Sequence, residues 1–167
     1  MLPLVLNPHT VRVGLVGQGE ALARRAALFA EAGVEARLLS AEASDAVLKP
    51  LQLLFVAGLP EGEAWRLAGR ARALGLLVNV EDALPLCDFH VPAIVRRGEL
   101  LLTASTGGAV PGLARQLREW LAGTFGPEWK DHLSELSAAR AKWRSAGLSP
   151  ADVSQKVREL ITDKGWL

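Results

Sequence analysis

The stretch VRVGLVGQGEALARRAALFAEAGVEARLL, residues 11–39, decides the fold. It begins with an apolar run of strand length at residues 11–16, and apolar residues then recur at helical spacing between positions 22 and 32. Gly33 stands where a helix C-terminal cap is expected, and residues 34–39 return to a strand pattern. This order predicts the start of a parallel sheet, because parallel neighbours are joined by a helical crossover.

The residues that follow extend the same alternation. Residues 51–57 and 76–80 are two further apolar runs of strand length, and the segment between them has a helical pattern that ends at Gly75. All four predicted strands are almost continuously apolar, as is typical of strands that are covered on both faces. We therefore predict an α/β fold built on a parallel sheet.

The second half of the chain has a different pattern. Residues 93–105 form two extended runs joined through a turn that contains Gly98, which predicts a hairpin. A helix with one apolar face is predicted from Pro111, since proline suits the first helical position. The tail from residue 127 onward is polar and helical, with a break at residues 147–150.

Composition and charge exclude several classes of function. The chain has 167 residues, half of them apolar, and a formal net charge of +1, so neither disorder nor a basic field for nucleic acid is expected. Its single cysteine, Cys87, excludes an intramolecular disulfide framework. No apolar run reaches the ~18 residues needed to cross a bilayer, and the first residues lack the basic region of a signal peptide. We expect a cytoplasmic protein that binds neither nucleic acid nor membrane.

The loop Gly17-Gln18-Gly19, after the first strand, is the first candidate site. Glycine there permits a tight turn and lets backbone N–H groups approach a pyrophosphate at the start of the next helix. The dinucleotide fingerprint expects a third small residue where this chain has Leu22. The loop indicates nucleotide binding, with an ordinary strand–helix turn as the alternative.

The segment Asn79-Val80-Glu81-Asp82 is the second candidate site. It follows the last predicted parallel strand, at the edge where ligands bind in open α/β sheets. A carboxylate there can accept or relay a proton, which makes it a candidate acid–base group. The alternative is a solvated pair of acids that opens a loop.

A third candidate site combines Ser105-Thr106-Gly107-Gly108 with the helix that follows it. Hydroxyl groups, free N–H groups at a helix start and guanidinium groups all favour anions. Residues 96–118 carry four arginines against the single acid Glu99. They indicate a carboxylate-rich or phosphorylated ligand, with a capped helix and a solvated basic face as the alternative. Cys87 and His90 have C-x-x-H spacing, but without a second ligand pair they do not predict a metal site.

In this order, the motifs resemble the siroheme synthase N-terminal family, whose members are precorrin-2 dehydrogenases and in some cases also sirohydrochlorin ferrochelatases. The family pattern has a glycine triplet and a helix with Arg-Lys, then Asn-Val-x-Asp, Cys-Asp-Phe-x-x-Pro-Ala and Arg-Gly. It ends with Ser-Thr-Gly-Gly-x-x-Pro-x-Leu-Ala-Arg-x-Leu-Arg. Residues 79–118 match it almost throughout, and the whole resemblance covers roughly residues 11–125.

The resemblance implies a Rossmann-like NAD-binding domain over residues 1–90, a dimerisation segment of hairpin and helix over 91–125, and a C-terminal helical region over 126–167. It implies a homodimer that oxidises precorrin-2 to sirohydrochlorin, with hydride passing to NAD. The substrate is a tetrapyrrole with many carboxylates, which gives the arginine-rich residues a partner. In members that also insert a metal, ferrous or cobalt ion is a second substrate, and no resident metal is expected.

The family's functional roles fall on specific positions of this chain. The aspartate of Asn-Val-x-Asp, the acid–base residue of the family, is Asp82. The cofactor-binding residues implied by the glycine loop and by the adenosine side after the second strand are Gly17, Gln18, Gly19, Glu20, Ala21, Ala41 and Glu42. The predicted substrate-binding residues are Asn79, Arg97, Ser105, Thr106, Gly107, Gly108 and Arg115.

Three departures from the family pattern keep other functions open. Gln18 replaces the middle glycine, Ala57-Gly58-Leu59-Pro60 replaces Ala-Thr-Asp-Asp on the nicotinamide side, and the chain before residue 51 is shortened. One alternative is a metal chelatase with a vestigial NAD site, and another is a non-catalytic tetrapyrrole-binding protein. Glu42, if it faces the ribose, favours NAD over NADP because a carboxylate repels the extra phosphate.

Overall fold

The computed structural model describes residues 2–167, and the chain divides into two units at the junction of Val91 and Pro92. The first unit contains β1 (Val13–Gly17), α1 (Gly19–Glu31), β2 (Arg37–Leu39), α2 (Asp45–Leu48), β3 (Leu53–Ala57), α3 (Glu61–Ala73), β4 (Leu77–Val80) and a 3-10 turn (Leu84–Leu86). The second unit contains β5 (Ala93–Arg97), β6 (Leu100–Ala104), α4 (Pro111–Thr124), α5 (Trp129–Ser145) and α6 (Pro150–Asp163).

The sheet of the first unit is parallel throughout, with the strand order β2-β1-β3-β4. Successive side chains of a strand point to opposite faces, and each face buries its own apolar cluster. On one face, Phe29 of α1 packs with Leu15 and Phe55. On the other face, Leu67 of α3 packs with Val56. The predicted α/β fold is confirmed, and its helices cover both faces of the sheet.

The strand order fixes where a ligand can bind in this unit. From β1 the chain crosses to β2 on one side, and from β3 it crosses to β4 on the other. The order therefore reverses between β1 and β3, whose last residues, Gly17 and Ala57, lie opposite each other. Open α/β sheets bind ligands outside the carboxyl ends of the strands at such a reversal.

The second strand is shorter than the sequence predicts. Only Arg37–Leu39 pairs with β1, whereas residues 34–39 have the strand pattern. The Val34 N–H donates to the Phe29 carbonyl at 2.9 Å, and the Ala36 N–H donates to the Val34 carbonyl at 3.1 Å. These residues complete the end of α1 around Gly33, whose φ is +67°, so their backbone is not free to join the sheet.

The second unit begins with an antiparallel hairpin, as predicted. Gly98 takes a φ of +58° in the turn between β5 and β6, a conformation that glycine adopts without steric cost. Helix α4 starts at Pro111 as predicted, and it packs on both strands of the hairpin. The tail forms α5 and α6, and the Ser149 hydroxyl accepts a hydrogen bond from the Asp152 N–H at the start of α6.

Helix α4 leaves an apolar face in contact with solvent in the single chain. None of its residues is buried, and its exposed apolar side chains include Leu113, Leu117 and Trp120. Across the part of the chain that the structure describes, no helix combines the length and the apolar composition that a membrane crossing requires.

Candidate functional site

The glycine loop joins β1 to α1 and lies tightly against the end of β3. The Gln18 N–H donates to the Ala57 carbonyl at 3.1 Å. A Cβ added to Gly17 would overlap that same carbonyl oxygen, and a Cβ added to Gly58 would lie 2.5 Å from the Gln18 carbonyl oxygen. Both glycines therefore allow a close backbone approach that a side chain would prevent.

The first turn of α1 has the features of an anion cradle. Gly19 has a φ of +64°, and a Cβ added there would have no neighbour within 4 Å. No side chain caps this end of the helix. The first N–H groups of a helix have no acceptor within it, so those of Gly19, Glu20 and Ala21 are available to an anion. The chemistry of this turn fits the pyrophosphate of a dinucleotide.

A hollow of about 220 Å³ lies beside the loop that follows β2. Its lining residues are Ala41, Glu42, Glu63, Arg66, Leu67 and Arg70. It contains both residues predicted for the adenosine side, Ala41 and Glu42. Arg70 pairs with the Asp45 carboxylate at 2.5 Å, and the side chain of Glu42 is exposed.

Asp82 lies in the loop after β4, at the same carboxyl edge of the sheet as the glycine loop. Its φ is +59°, and it is the sole non-glycine residue with positive φ between residues 2 and 167. Its side chain is exposed and accessible to a ligand. A left-handed conformation is strained for aspartate by about 1 kcal/mol, so the surrounding loop must enforce it.

The residues that follow Asp82 hold its loop in place. The Cys87 thiol donates to the Val80 carbonyl at 3.1 Å and accepts from the Val80 N–H at 3.3 Å. The Asp88 N–H donates to the Val78 carbonyl, and its carboxylate binds Arg72 at 2.9 Å. Cys87 therefore acts here as a hydrogen-bonding residue of the loop.

Asn79 was predicted to bind substrate, and the structure gives it a contact within the chain. Its side chain is buried, and the amide nitrogen donates to the Phe89 carbonyl at 2.9 Å. Phe89 in turn packs edge-to-face on Phe55, with ring centroids 5.1 Å apart. Asn79 therefore fixes the position of the loop that carries Asp82.

Helix α1 brings two residues to this loop that the sequence analysis did not select. Arg24 lies 3.6 Å from the carboxylate of Glu81, the residue before Asp82. The Arg25 guanidinium lies over the Phe55 ring, 5.2 Å from its centroid. The first turns of α1 and the acidic loop are thus neighbours. The Arg-Lys pair of the family pattern was the signal that could have pointed to Arg24 and Arg25.

The third candidate site belongs to the second unit. The Ser105 hydroxyl accepts from the Gly107 N–H at 3.2 Å, and the Thr106 hydroxyl accepts from the Val110 N–H at 3.2 Å. Gly107 and Gly108 both have positive φ, 67° and 82°. These bonds shape the loop before α4 and leave each hydroxyl proton free to donate.

The two predicted arginines of the second unit have different environments. Arg97 donates to the carbonyls of Phe125 at 2.8 Å and Ala122 at 3.1 Å, so it satisfies the C-terminal end of α4. Arg115 is exposed and contacts Glu119 at 3.0 Å, one turn along α4. An exposed pair of this kind is weak and can exchange for a ligand carboxylate.

Within residues 2–167 there is no cluster of three or more histidine, cysteine, aspartate or glutamate side chains placed to hold a metal ion. The geometry of the first unit nonetheless defines a class of site. An uncapped helix start after a glycine loop and an accessible acid both lie at the switch point of a parallel sheet, which is where Rossmann-like folds bind dinucleotides.

Comparison with known proteins specifies the relationship further. The chain is 31% identical over 170 residues to a siroheme synthase of Nitrosococcus oceani and 33% identical over 179 residues to one of Pseudomonas fluorescens. These matches cover 88% and 93% of this chain. No family model matches. The chain belongs to the siroheme synthase N-terminal domain family.

A solved structure described as SirC, precorrin-2 dehydrogenase, has the same fold. It superimposes with a TM-score of 0.73 at 19% identity, over 100% of this chain and 92% of that one. The siroheme synthases are much longer proteins: this chain spans only 36% and 37% of the length of the two relatives named above.

Proposed function

We propose that this chain is an NAD-dependent precorrin-2 dehydrogenase, which oxidises precorrin-2 to sirohydrochlorin. One observation carries the proposal most directly. The uncapped start of α1 and the strained, exposed Asp82 share the carboxyl edge of one sheet, and the Arg24–Glu81 pair at 3.6 Å brings their elements together. Family membership supplies the reaction class, since relatives carry the name siroheme synthase.

The chain's own residues account for cofactor binding. In this proposal the N–H groups of Gly19, Glu20 and Ala21 hold the pyrophosphate, and the Glu42 carboxylate accepts hydrogen bonds from the ribose hydroxyls. When bound, NAD accepts the hydride that leaves the substrate carbon. The close packing of Gly17 and Gly58 supports this role, because it keeps side chains away from the loop that faces the dinucleotide.

Asp82 carries the proton transfer in this proposal. Oxidation of precorrin-2 removes one hydride and one proton from the macrocycle, and the exposed Asp82 carboxylate accepts the proton. The hydrogen bonds of Asn79, Cys87 and Asp88 hold the backbone of the loop that carries Asp82. A loop held in place contributes to rate because less ordering is needed when the substrate arrives.

The second unit contributes carboxylate recognition and dimer contacts in this proposal. Ser105 and Thr106 have hydroxyl protons free to donate to carboxylates of the tetrapyrrole, and Arg115 can exchange its exposed contact with Glu119 for such a carboxylate. The guanidinium of Arg97 is occupied at the end of α4. The apolar face of α4 is the homodimer contact, since Leu117 and Trp120 are exposed in the single chain.

An anaerobic assay tests the function. Precorrin-2 is mixed with the protein and NAD, and absorbance follows both NADH and sirohydrochlorin; we expect one NADH for each sirohydrochlorin formed. The proposal fails if precorrin-2 is unchanged at saturating NAD. Ferrous ion added to sirohydrochlorin in the absence of NAD tests the chelatase alternative, and metal insertion without any dehydrogenation would favour it.

A further inference from the structure

Arg25 carries a half-buried charge. Its guanidinium is half-buried over the Phe55 ring, and it makes no hydrogen bond with any of residues 2–167. Burial lowers the pKa of Arg25, while the nearby carboxylates of Glu81 and Asp82 act in the opposite direction. A cation is therefore held in a partly apolar position beside the candidate acid with all its N–H donors unused.

Glu81 has a buried carboxylate oxygen without a hydrogen-bond partner among the described residues. Its side chain is only 19% exposed, and one carboxylate oxygen lies 3.6 Å from Arg24. The other oxygen is buried and accepts no hydrogen bond from the described residues. Leaving a buried charged acceptor unpaired is unfavourable, so this carboxylate is poorly satisfied where it stands.

These side chains line a small hollow that is open to solvent. Arg24, Arg25, Leu28 and Glu81 line a space of about 170 Å³ on the side of α1 that faces the acidic loop. Cavities that enclose a whole small molecule are typically ~300–1,000 Å³, so this one fits a single arm of a larger ligand. Arg24 is paired with Glu81 at 3.6 Å and with Glu20 at 3.8 Å, so among the described residues Arg25 is the lining guanidinium without an ion pair.

We propose that this hollow binds one carboxylate arm of the tetrapyrrole, with Arg25 as its ligand and Glu81 as the neighbouring carboxylate whose negative charge opposes the arm. The inference rests on the proposed function, because that function supplies the class of ligand. A carboxylate of the substrate is favoured over a phosphate of the cofactor, since the free N–H groups for a pyrophosphate lie in the preceding turn of α1. An arm held next to Glu81 brings its macrocycle close to Asp82.

The test measures binding of sirohydrochlorin, the reaction product, under anaerobic conditions. Absorbance titrations give the Kd for sirohydrochlorin, and calorimetry gives the Kd for NAD. The variants are Arg25→Gln and Glu81→Gln, and Arg37→Gln on the exposed β2 is the matched control. If the glutamine variant does not fold, Arg25→Lys replaces it in the titrations, because lysine keeps the charge without the planar guanidinium.

Arg25→Gln is expected to raise the Kd for sirohydrochlorin about tenfold, the effect of losing one charge-assisted hydrogen-bonded pair, and to leave the Kd for NAD unchanged. Arg25→Lys should fall between it and the wild type. Glu81→Gln is expected to lower the Kd for sirohydrochlorin, because the competing charge is gone. Arg37→Gln should match the wild type in both titrations.

Three results would overturn the inference. The first is wild-type affinity for sirohydrochlorin in Arg25→Gln, and the second is an equal loss of NAD binding and sirohydrochlorin binding in that variant. The third is weaker sirohydrochlorin binding after Glu81→Gln. If the wild-type chain oxidises precorrin-2 while any of these holds, the inference alone fails. If the wild-type chain neither oxidises precorrin-2 nor binds sirohydrochlorin, the proposed function fails and the inference fails with it.

Discussion

Asp88 and Val78 exchange two hydrogen bonds of 2.8 Å across the outer edge of β4: the Asp88 N–H donates to the Val78 carbonyl, and the Val78 N–H donates to the Asp88 carboxylate. The loop between them contains Asp82, so both of its ends are attached to the same strand. The N–H and the carboxylate of Asp88 thus bind the backbone groups of Val78 that a fifth strand would otherwise bind. The conformation of the candidate acid depends on this attachment.

Replacing Asp88 by alanine should therefore loosen the loop. The change leaves the Val78 N–H without its acceptor and Arg72 without its carboxylate, and we expect a loss of about 2 kcal/mol in the free energy of unfolding. Urea unfolding followed by circular dichroism measures it. Asp163→Ala, at the end of α6, is the control and should be near neutral. An Asp88→Ala variant as stable as the wild type would show that the two bonds contribute little.

Asp82 can be tested without disturbing the backbone. Asparagine tolerates a φ of +59° nearly as well as aspartate, so Asp82→Asn should keep its stability and lose turnover by about 10²–10⁴-fold. Asp82→Gly should be as stable as the wild type or more so, by up to ~1 kcal/mol, because glycine adopts this conformation freely. Precorrin-2 oxidation and thermal unfolding are measured on the same samples. Near-normal turnover in Asp82→Asn would remove Asp82 from the mechanism.

The two glycines of the first loop should respond differently to alanine. At Gly17 the new Cβ meets the backbone carbonyl of Ala57, which cannot move aside, and we expect a loss of ~3 kcal/mol or failure to fold. At Gly19 the space is open and the strain of positive φ costs only about 1 kcal/mol. Gly19→Ala should fold but bind NAD more weakly by calorimetry, because its methyl group faces the proposed phosphate. Similar stabilities for both variants would contradict this view of the loop.

The elements of the fold that were predicted from the sequence are those with clear local signals. Helices α1 and α3 were predicted well because regular apolar spacing ends at Gly33 and Gly75, both of which have positive φ. The short helix α2 was missed, since its polar stretch contributes a single buried residue, Leu48. Four residues cannot show a helical period.

The functional role of the candidate site stays a prediction. The alternation of strands and helices and the motifs placed Asp82 and the glycine loop at the carboxyl ends of predicted parallel strands, and the side-chain contacts were not predicted. The bonds of Asn79 to Phe89 and of Arg97 to Phe125 and Ala122 join residues that are distant in sequence. No spacing rule encodes such partners, because tertiary packing selects them. These two side chains are engaged within the chain, and Ser105, Thr106 and Arg115 remain the predicted substrate ligands.

Arg25 provides a prediction about stability. Burial lowers the pKa of Arg25, so its charge disfavours the folded state. Arg25→Met keeps the side-chain volume without the charge, and we expect unchanged or slightly increased resistance to urea, after the loss of a cation–π contact worth ~0.5–1 kcal/mol. The unfolding midpoint of Arg25→Met is compared with that of the control Arg37→Met. A clear loss confined to Arg25→Met would mean that the guanidinium stabilises the fold.

Helix α4 allows a direct test of the proposed homodimer. Leu117→Asp places a charge in the middle of the exposed apolar face, so the particle mass should fall to that of one chain. Light scattering coupled to size-exclusion chromatography measures the mass. Gln116→Asp adds the same charge to the same helix at an exposed polar position and should remain dimeric. A Leu117→Asp variant that stays dimeric would place the interface elsewhere.

The three-residue length of β2 has a consequence for the behaviour of the protein in concentrated solution. A long, flat outer strand offers unpaired N–H and C=O groups to strands of other molecules, and this is a common start of amyloid-like aggregation. Here one outer strand has only three residues, Arg37–Leu39, and the opposite one, β4, is blocked by the side chain of Asp88. The sheet thus offers few unpaired backbone groups to strands of other chains. Loss of the Asp88 carboxylate would expose the edge of β4 to such pairing and favour fibril formation.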